Sequence, residues 1–307
     1  MKKYRIFLSI FIIYILINMA LFPSLYISRT LDGLSAWAFN VLPSVLPFIF
    51  FIKLLTSLNI LEKFTKIFSV PCQKLFKTPA SSSLVFFTSI ISGYPVGAKM
   101  TAELFESGKI SKSDAFKMCS FCSTSGPMFI IGTVGITMLG QAVYGYIIFF
   151  SHIIGALING ILYRNLKVNN DEILTNKVEK KSSSLDLSSI VLDSALSMII
   201  VGTIIAIFFV IITSLSPIFN LFPSPIASIL EGIVEITKGC IGIASSWQGK
   251  WAIAAATFII SFGGISTVLQ SITMLSKLKM PITLFILQKL THAIIACLIS
   301  IVFIILI

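Results

Sequence analysis

Two interrupted apolar runs hold the residues best placed to handle a solute. The first is Ser92-Gly93-Tyr94-Pro95-Val96-Gly97, followed by Lys99; the second is Ser261-Phe262-Gly263-Gly264, followed by Ser266 and Thr267. A break of this kind inside lipid leaves backbone donors and acceptors unpaired at roughly several kcal/mol each, so it persists only where protein or a water-filled cavity covers it. At mid-depth the break turns a helix N-terminus, with its partial positive charge, toward the cavity, which suits an anionic or carbonyl-bearing solute. In the first run that end is made by the amides near Val96, Gly97 and Ala98. A kink that merely permits close helix packing explains either break taken alone. Two breaks in corresponding places favour a site.

Other residues near the breaks carry competing readings. A full charge at mid-membrane costs about 2.5–3.5 kcal/mol on insertion scales, so Lys99 is either an anion ligand or a side chain reaching back to the interface. Glu103, one turn on, offers it a partner. The run Ser123-Thr124-Ser125-Gly126-Pro127 is dense in hydroxyls and small residues. Unwound, it gives side-chain and carbonyl contacts to a solute; a helix restart capped by Ser125 with Pro127 in the first turn is compatible with that role. Gln270, Lys289, Thr291 and His292 are polar residues in apolar surroundings. His292 is suited to proton relay or anion binding and equally to hydrogen-bonded packing, with a weaker case for His152. Glu231 and Glu235 share one helical face with Lys238 close behind. A solvated interfacial face is the preferred reading there, ahead of coupling to protons or cations. Cys119 and Cys122 have metal-type spacing without a second Cys or His pair. No phosphate loop, nucleophile elbow or His-Glu-x-x-His pair occurs, so no enzyme activity, catalytic residue, metal or cofactor is expected.

The elements that must position these residues are membrane helices. Of 307 residues 56% are hydrophobic and 11% charged, with a mean hydropathy of +0.99, too few polar side chains to coat a water-soluble fold. At about 20 residues per span the chain holds roughly six to eight crossings or half-crossings. The net charge of +11 resides in short loops, where orientation in the bilayer accounts for it and nucleic acid does not. Five cysteines give no disulfide framework. The apolar run over 6–27 is too long for a signal peptide and is expected to be retained, with its basic end cytoplasmic.

An all-α polytopic fold follows, with residues 1–31 as a first transmembrane helix that leaves Arg29 and Asp32 at the outer face. Residues 32–164 form a first repeat with a re-entrant hairpin near 84–108. Its halves of about ten residues are too short to span. Residues 165–187 read as a cytoplasmic linker. Residues 188–307 form a second repeat with a re-entrant hairpin near 249–276, inverted relative to the first.

The strings Leu42-Pro43-Ser44-Val45-Leu46-Pro47-Phe48, Ser92-Gly93-Tyr94-Pro95-Val96-Gly97-Ala98-Lys99 and Phe121-Cys122-Ser123-Thr124-Ser125-Gly126-Pro127 resemble the sporulation integral membrane proteins of the YlbJ type, in the nucleoside-recognition or Gate group. The resemblance covers most of the chain. It implies a fold similar to concentrative nucleoside transporters, with hairpins from two inverted repeats meeting at a central site, and a role in moving dipicolinate across the outer forespore membrane from the mother cell. The site it implies comprises Gly93, Tyr94, Pro95, Gly97, Lys99, Ser123, Thr124, Ser125, Gly126, Ser261, Gly263, Gly264, Ser266 and Thr267, with Tyr94 available to stack on an aromatic solute. The expected partners are a small anionic solute and the lipid bilayer, with homo-oligomerisation left open. A nucleoside-like solute and a non-transporting scaffold in spore formation remain as alternatives.

Overall fold

Prolines and left-handed glycines set where the helices of this chain stop and turn. The computed structural model describes residues 2–58, 69–168 and 186–306, among which there is no strand. Most of the expected linker lies outside the described residues.

Helix α1 (Lys2–Leu21) ends before Pro23, which occupies the first turn of α2 (Pro23–Ser35). That placement suits a residue with no amide to donate. The expected boundary at residue 31 is therefore corrected: Arg29 and Asp32 lie within α2 and pair at 2.8 Å. Through a π-helical turn, Ala36–Val41, α2 continues into α3 (Leu42–Ser57). Pro43 and Pro47 withhold the amides that would bond the carbonyls four residues back. Just before them the Leu42 N–H reaches the Trp37 carbonyl, five residues back.

After α4 (Ser69–Phe76), α5 (Ser81–Ser92) and α6 (Val96–Glu106) pack on each other as a helical hairpin. Next comes α7 (Lys112–Cys119), capped by the Ser111 hydroxyl accepting from the Asp114 N–H. Residues 123–126 are irregular before a π-helical segment, Met128–Met138, and then α8 (Ala142–Tyr163) returns.

The second half has the same order of parts, although not where it was expected. Long apolar α9 (Leu187–Phe219) leads to α10 (Ser224–Val234) and α11 (Ile236–Ser246), which fold back on each other about Glu235. Helices α12 (Trp251–Phe262) and α13 (Gly264–Met274) do not pair as a hairpin. They run on as a broken segment of spanning length, α12 packing on α8, α11 and α14 (Ile282–Leu306) while α13 packs on α6 and α10. The hairpin expected near 249–276 thus lies at 224–246. The physical reason is local: Glu235 is extended, and its carboxylate caps α11 by accepting the Lys238 N–H at 2.8 Å, which lets the chain reverse. Gly263 and Gly264, at φ +91° and +67°, interrupt one helix without turning it back.

Among the described residues, five helical segments are long and apolar enough to cross a membrane. The core between them is tight: a Cβ at Gly155 of α8 would come within 2.8 Å of the Ala296 Cβ on α14. Small residues at such crossings let backbones approach where no hydrophobic effect drives them together.

Candidate functional site

The α5–α6 tip rests directly on the irregular 123–126 segment. Gly93 has φ +74°, and a Cβ there would stand 2.8 Å from the Gly126 nitrogen. The Tyr94–Pro95 peptide is cis. One residue into α6, a Cβ at Gly97 would lie 1.7 Å from the Cys122 carbonyl oxygen, so only glycine permits this approach. The Thr124 hydroxyl donates to Ser89 Oγ at 3.1 Å, tying the segment to α5.

From α8 and α14, buried side chains join the two halves. His152 Nε2 accepts the Ser125 N–H at 2.9 Å, which assigns the ring proton of the neutral imidazole to Nδ1, 2.8 Å from Ser261 Oγ. One histidine thus holds the irregular segment of the first half and the end of α12 in the second. His292 Nε2 donates to the His152 carbonyl at 2.9 Å. Lys289, only 2% exposed, donates to the Tyr94 hydroxyl at 2.7 Å and the Ser123 carbonyl at 2.8 Å, with its Nζ 4.6 Å from the Tyr94 ring centre. The Tyr94 hydroxyl in turn donates to the Ile260 carbonyl at 3.2 Å. Tyr94 therefore reaches from the first tip to the second break, where a Cβ at Gly263 would be 3.5 Å from its Cζ.

A cavity of about 100 Å³ opens beside this junction. One wall is apolar, built by residues such as Val45, Phe48 and Ile49 of α3 and Met198, Val201 and Ile205 of α9. The facing wall is polar, with Ser92, Gly93, Tyr94, Ser125 and Gly126 from the first half. Glu235, Thr237, Ser266, Thr267 and Gln270 come from the second. Ser92, Ser125, Ser266 and Gln270 have no side-chain hydrogen bond to protein among the described residues. Polar groups facing a cavity without protein partners await a solute or water. Glu235 is the one carboxylate in the lining; it is 4% exposed and in no ion pair among the described residues.

Of the residues anticipated from the sequence, Gly93, Tyr94, Ser125, Gly126, Ser266 and Thr267 line the cavity. Ser123, Thr124, Ser261, Gly97 and Gly263 brace the breaks through the contacts above. Gly264 backs against the α10–α11 hairpin, and Pro95 packs beside Cys122 and Ser123. Lys99 is not brought to the site: it is exposed on α6, whose inward face carries Ala98, Ala102 and Phe105, and it does not line the cavity. The basic side chain at the breaks is Lys289. Its signal in the sequence is a charge inside a 25-residue apolar helix. Glu235, read from sequence as part of an interfacial face, stands at the tip of the second hairpin. His152, for which the sequence makes a weaker case than for His292, bridges the irregular segment and the end of α12.

Known proteins agree with this architecture. Residues 38–142 match the Gate family, described as nucleoside recognition. The sporulation integral membrane protein YlbJ of Bacillus subtilis (strain 168) is 25% identical over 312 residues, covering 89% of this chain and 76% of that protein. A doubly substituted CNTnw, solved in an outward-facing state, superposes with a TM-score of 0.54 over 98% of this chain and 86% of its own, at 13% identity, a likeness of fold. The chain is a multi-pass integral membrane protein with the fold of a concentrative nucleoside transporter, a Gate-family match confined to residues 38–142, and sequence similar to YlbJ along most of its length.

Proposed function

We propose that the chain is a secondary transporter carrying a small, planar, anionic solute through the cavity at the meeting of its two hairpin tips and two helix breaks, with dipicolinate in endospore formation as the first candidate. The observation that carries this reading is the cavity itself: four helix interruptions converge on it, and it pairs an apolar wall with unpartnered polar side chains. Such a space suits a flat ring with polar substituents. The N-termini of α6 and α11 begin at the two tips and favour negative charge, as would a protonated Lys289 behind Tyr94. The repeated order of hairpin, broken span and closing helix supports an inverted repeat that rearranges around a fixed site. The likeness to a sporulation integral membrane protein supports a membrane of the sporulating cell, and the outer forespore membrane, facing the mother cell, is part of the proposal.

Glu235 favours a second reading. Ionised, it opposes a carboxylate about 5 Å away by roughly 3 kcal/mol at an effective dielectric near 20. It would instead accept hydrogen bonds from the hydroxyls of a nucleoside-like solute. Purified protein in liposomes, offered labelled dipicolinate, other aromatic carboxylates and uridine, separates the readings. Uptake of dipicolinate with competition by related dicarboxylates is expected. Uptake of uridine alone would establish the second reading. If no anion or nucleoside binds or moves, the transporter reading fails and a scaffolding role in the sporulating cell replaces it.

A further inference from the structure

A second, larger cavity of about 640 Å³ lies between α2, α9 and the α10–α11 hairpin. Helices α2 and α9 lie in segments long and apolar enough to span a membrane, yet each turns a polar stripe toward it. Arg29, Asp32 and Asn40 lie along α2 and its π turn, facing Thr213, Ser216 and Asn220 at the i, i+3, i+7 spacing of one helical face on α9. The hairpin adds Glu231 and Lys238. Charges at membrane depth are costly unless water or partners reach them, and here only Arg29 and Asp32 form an ion pair.

This cavity and the central one adjoin along the same helices. Asn40, Phe209 and Lys238 line the larger, while their neighbours Val41, Ile205 and Thr237 line the smaller. Between them sits an apolar cluster of Ala36, Val41, Ile205 and Phe209, all buried. Its packing is set by a glycine: a Cβ at Gly33 would stand 2.9 Å from the Ala206 Cα and 3.1 Å from the Phe209 ring. On the side of the larger cavity the Lys238 Nζ lies 5.8 Å from the centre of the Phe209 ring.

We propose that the larger cavity is a hydrated vestibule through which a small water-soluble solute reaches the central cavity, and that the cluster around Phe209 is the barrier closing the path. The vestibule opens at the membrane face that holds the C-terminal end of α9, near Asn220. The proposal rests on the transporter reading and adds its access route and gate.

Thiol labelling in sealed vesicles tests it without any measurement of flux. Asn220→Cys reports on the vestibule and Ser92→Cys on the central cavity. The reagent is a membrane-impermeant anionic methanethiosulfonate added at one face at a time. The unsubstituted chain supplies the baseline, since four of its cysteines are buried and Cys297 is half-buried. Asn220→Cys is expected to react from one face only. From that face Ser92→Cys is expected to react slowly, and Phe209→Ala or Ile205→Ala to raise its rate at least tenfold with the Asn220→Cys rate unchanged. An Asn220→Cys thiol unreactive from both faces would overturn the vestibule. A Ser92→Cys rate unmoved by both truncations, in protein that remains monodisperse, would overturn the barrier. Failure of transport in the liposome assay would leave these rates as they are, so the two readings fail separately.

Discussion

The contact between Gly97 and the Cys122 carbonyl gives the sharpest prediction. A Cβ at position 97 would lie 1.7 Å from that oxygen and 2.8 Å from the Ser89 Cβ. Carbon–oxygen contacts settle near 3.3 Å, so Gly97→Ala must part α6 from the chain at Cys122 by about 1.6 Å. Neither side yields readily. Ser89 and Cys122 are fully packed, and Thr124 is bonded back to Ser89. Overpacking a rigid site costs about 1–3 kcal/mol, and with backbone as the obstacle the upper end or beyond is expected. A shift of that size would also stretch the 2.7 Å bond from Lys289 to Tyr94 past hydrogen-bonding range. Gly132→Ala is the control, because its Cβ would meet nothing nearer than the Ser44 Cβ at 3.7 Å. Thermal unfolding in detergent, followed by tryptophan fluorescence, should show Gly97→Ala several degrees below Gly132→Ala, with solute binding lost only in the former. Equal unfolding temperatures and equal binding would refute the claim that the first tip is laid against the broken span.

The remaining predictions concern the polar junction. Tyr94→Phe leaves the Lys289 ammonium with one partner and should destabilise by about 2 kcal/mol; Lys289→Met added to it should recover part of that loss, a coupling of about 1–3 kcal/mol in a double-mutant cycle of unfolding. Glu235→Gln should strengthen dipicolinate binding at least tenfold if the carboxylate is ionised, and weaken uridine binding, as read by equilibrium binding to purified protein. His152→Phe strands the Ser125 N–H and the Ser261 hydroxyl and should cost about 1–3 kcal/mol for each, lowering the unfolding temperature even with no solute present.

The parts of this architecture that were legible in the sequence are those written in backbone-specific residues. Gly93 and Pro95 mark the first hairpin tip because few residues other than glycine take φ +74°, and the 123–127 string marks the first broken span by the same logic. The second tip carries no such mark. Val234-Glu235-Ile236 reverses the chain by capping the following helix with a carboxylate, a device that looks the same as an interfacial acid until the partner amide is placed. With that tip invisible, the glycine pair at 263–264 was the natural candidate for a hairpin, and the two breaks were matched across unlike elements. Lys99 and Lys289 show the same limit at the level of one side chain. Nearness in sequence to Gly93 favoured Lys99, but helix rotation faces it outward. Lys289 belongs to a buried stripe of α14 running through Phe285, Gln288, His292, Ala293 and Ala296, a helical face readable only once its packing partners are known.

The junction divides its polar residues into two groups with different consequences. His152, Lys289, Ser261 and Thr124 have their hydrogen bonds taken by protein, so they fix the geometry of the breaks and a solute gains little from competing for them. Ser92, Ser125, Ser266 and Gln270 face the cavity with no side-chain partner among the described residues, so under the proposed function recognition would fall to them and to Glu235. Charge does not divide in the same way, because an electrostatic field outlasts the use of its donors. With both of its recorded hydrogen bonds made, a protonated Lys289 would still favour a negative charge about 7 Å away by roughly 2 kcal/mol at an effective dielectric near 20. That is about what an ionised Glu235 would take back. Under the proposed transport function, the local balance between these two side chains, more than the chain's overall charge of +11, would set which solute charge the cavity accepts. Neutralising either one should move the preference in opposite directions.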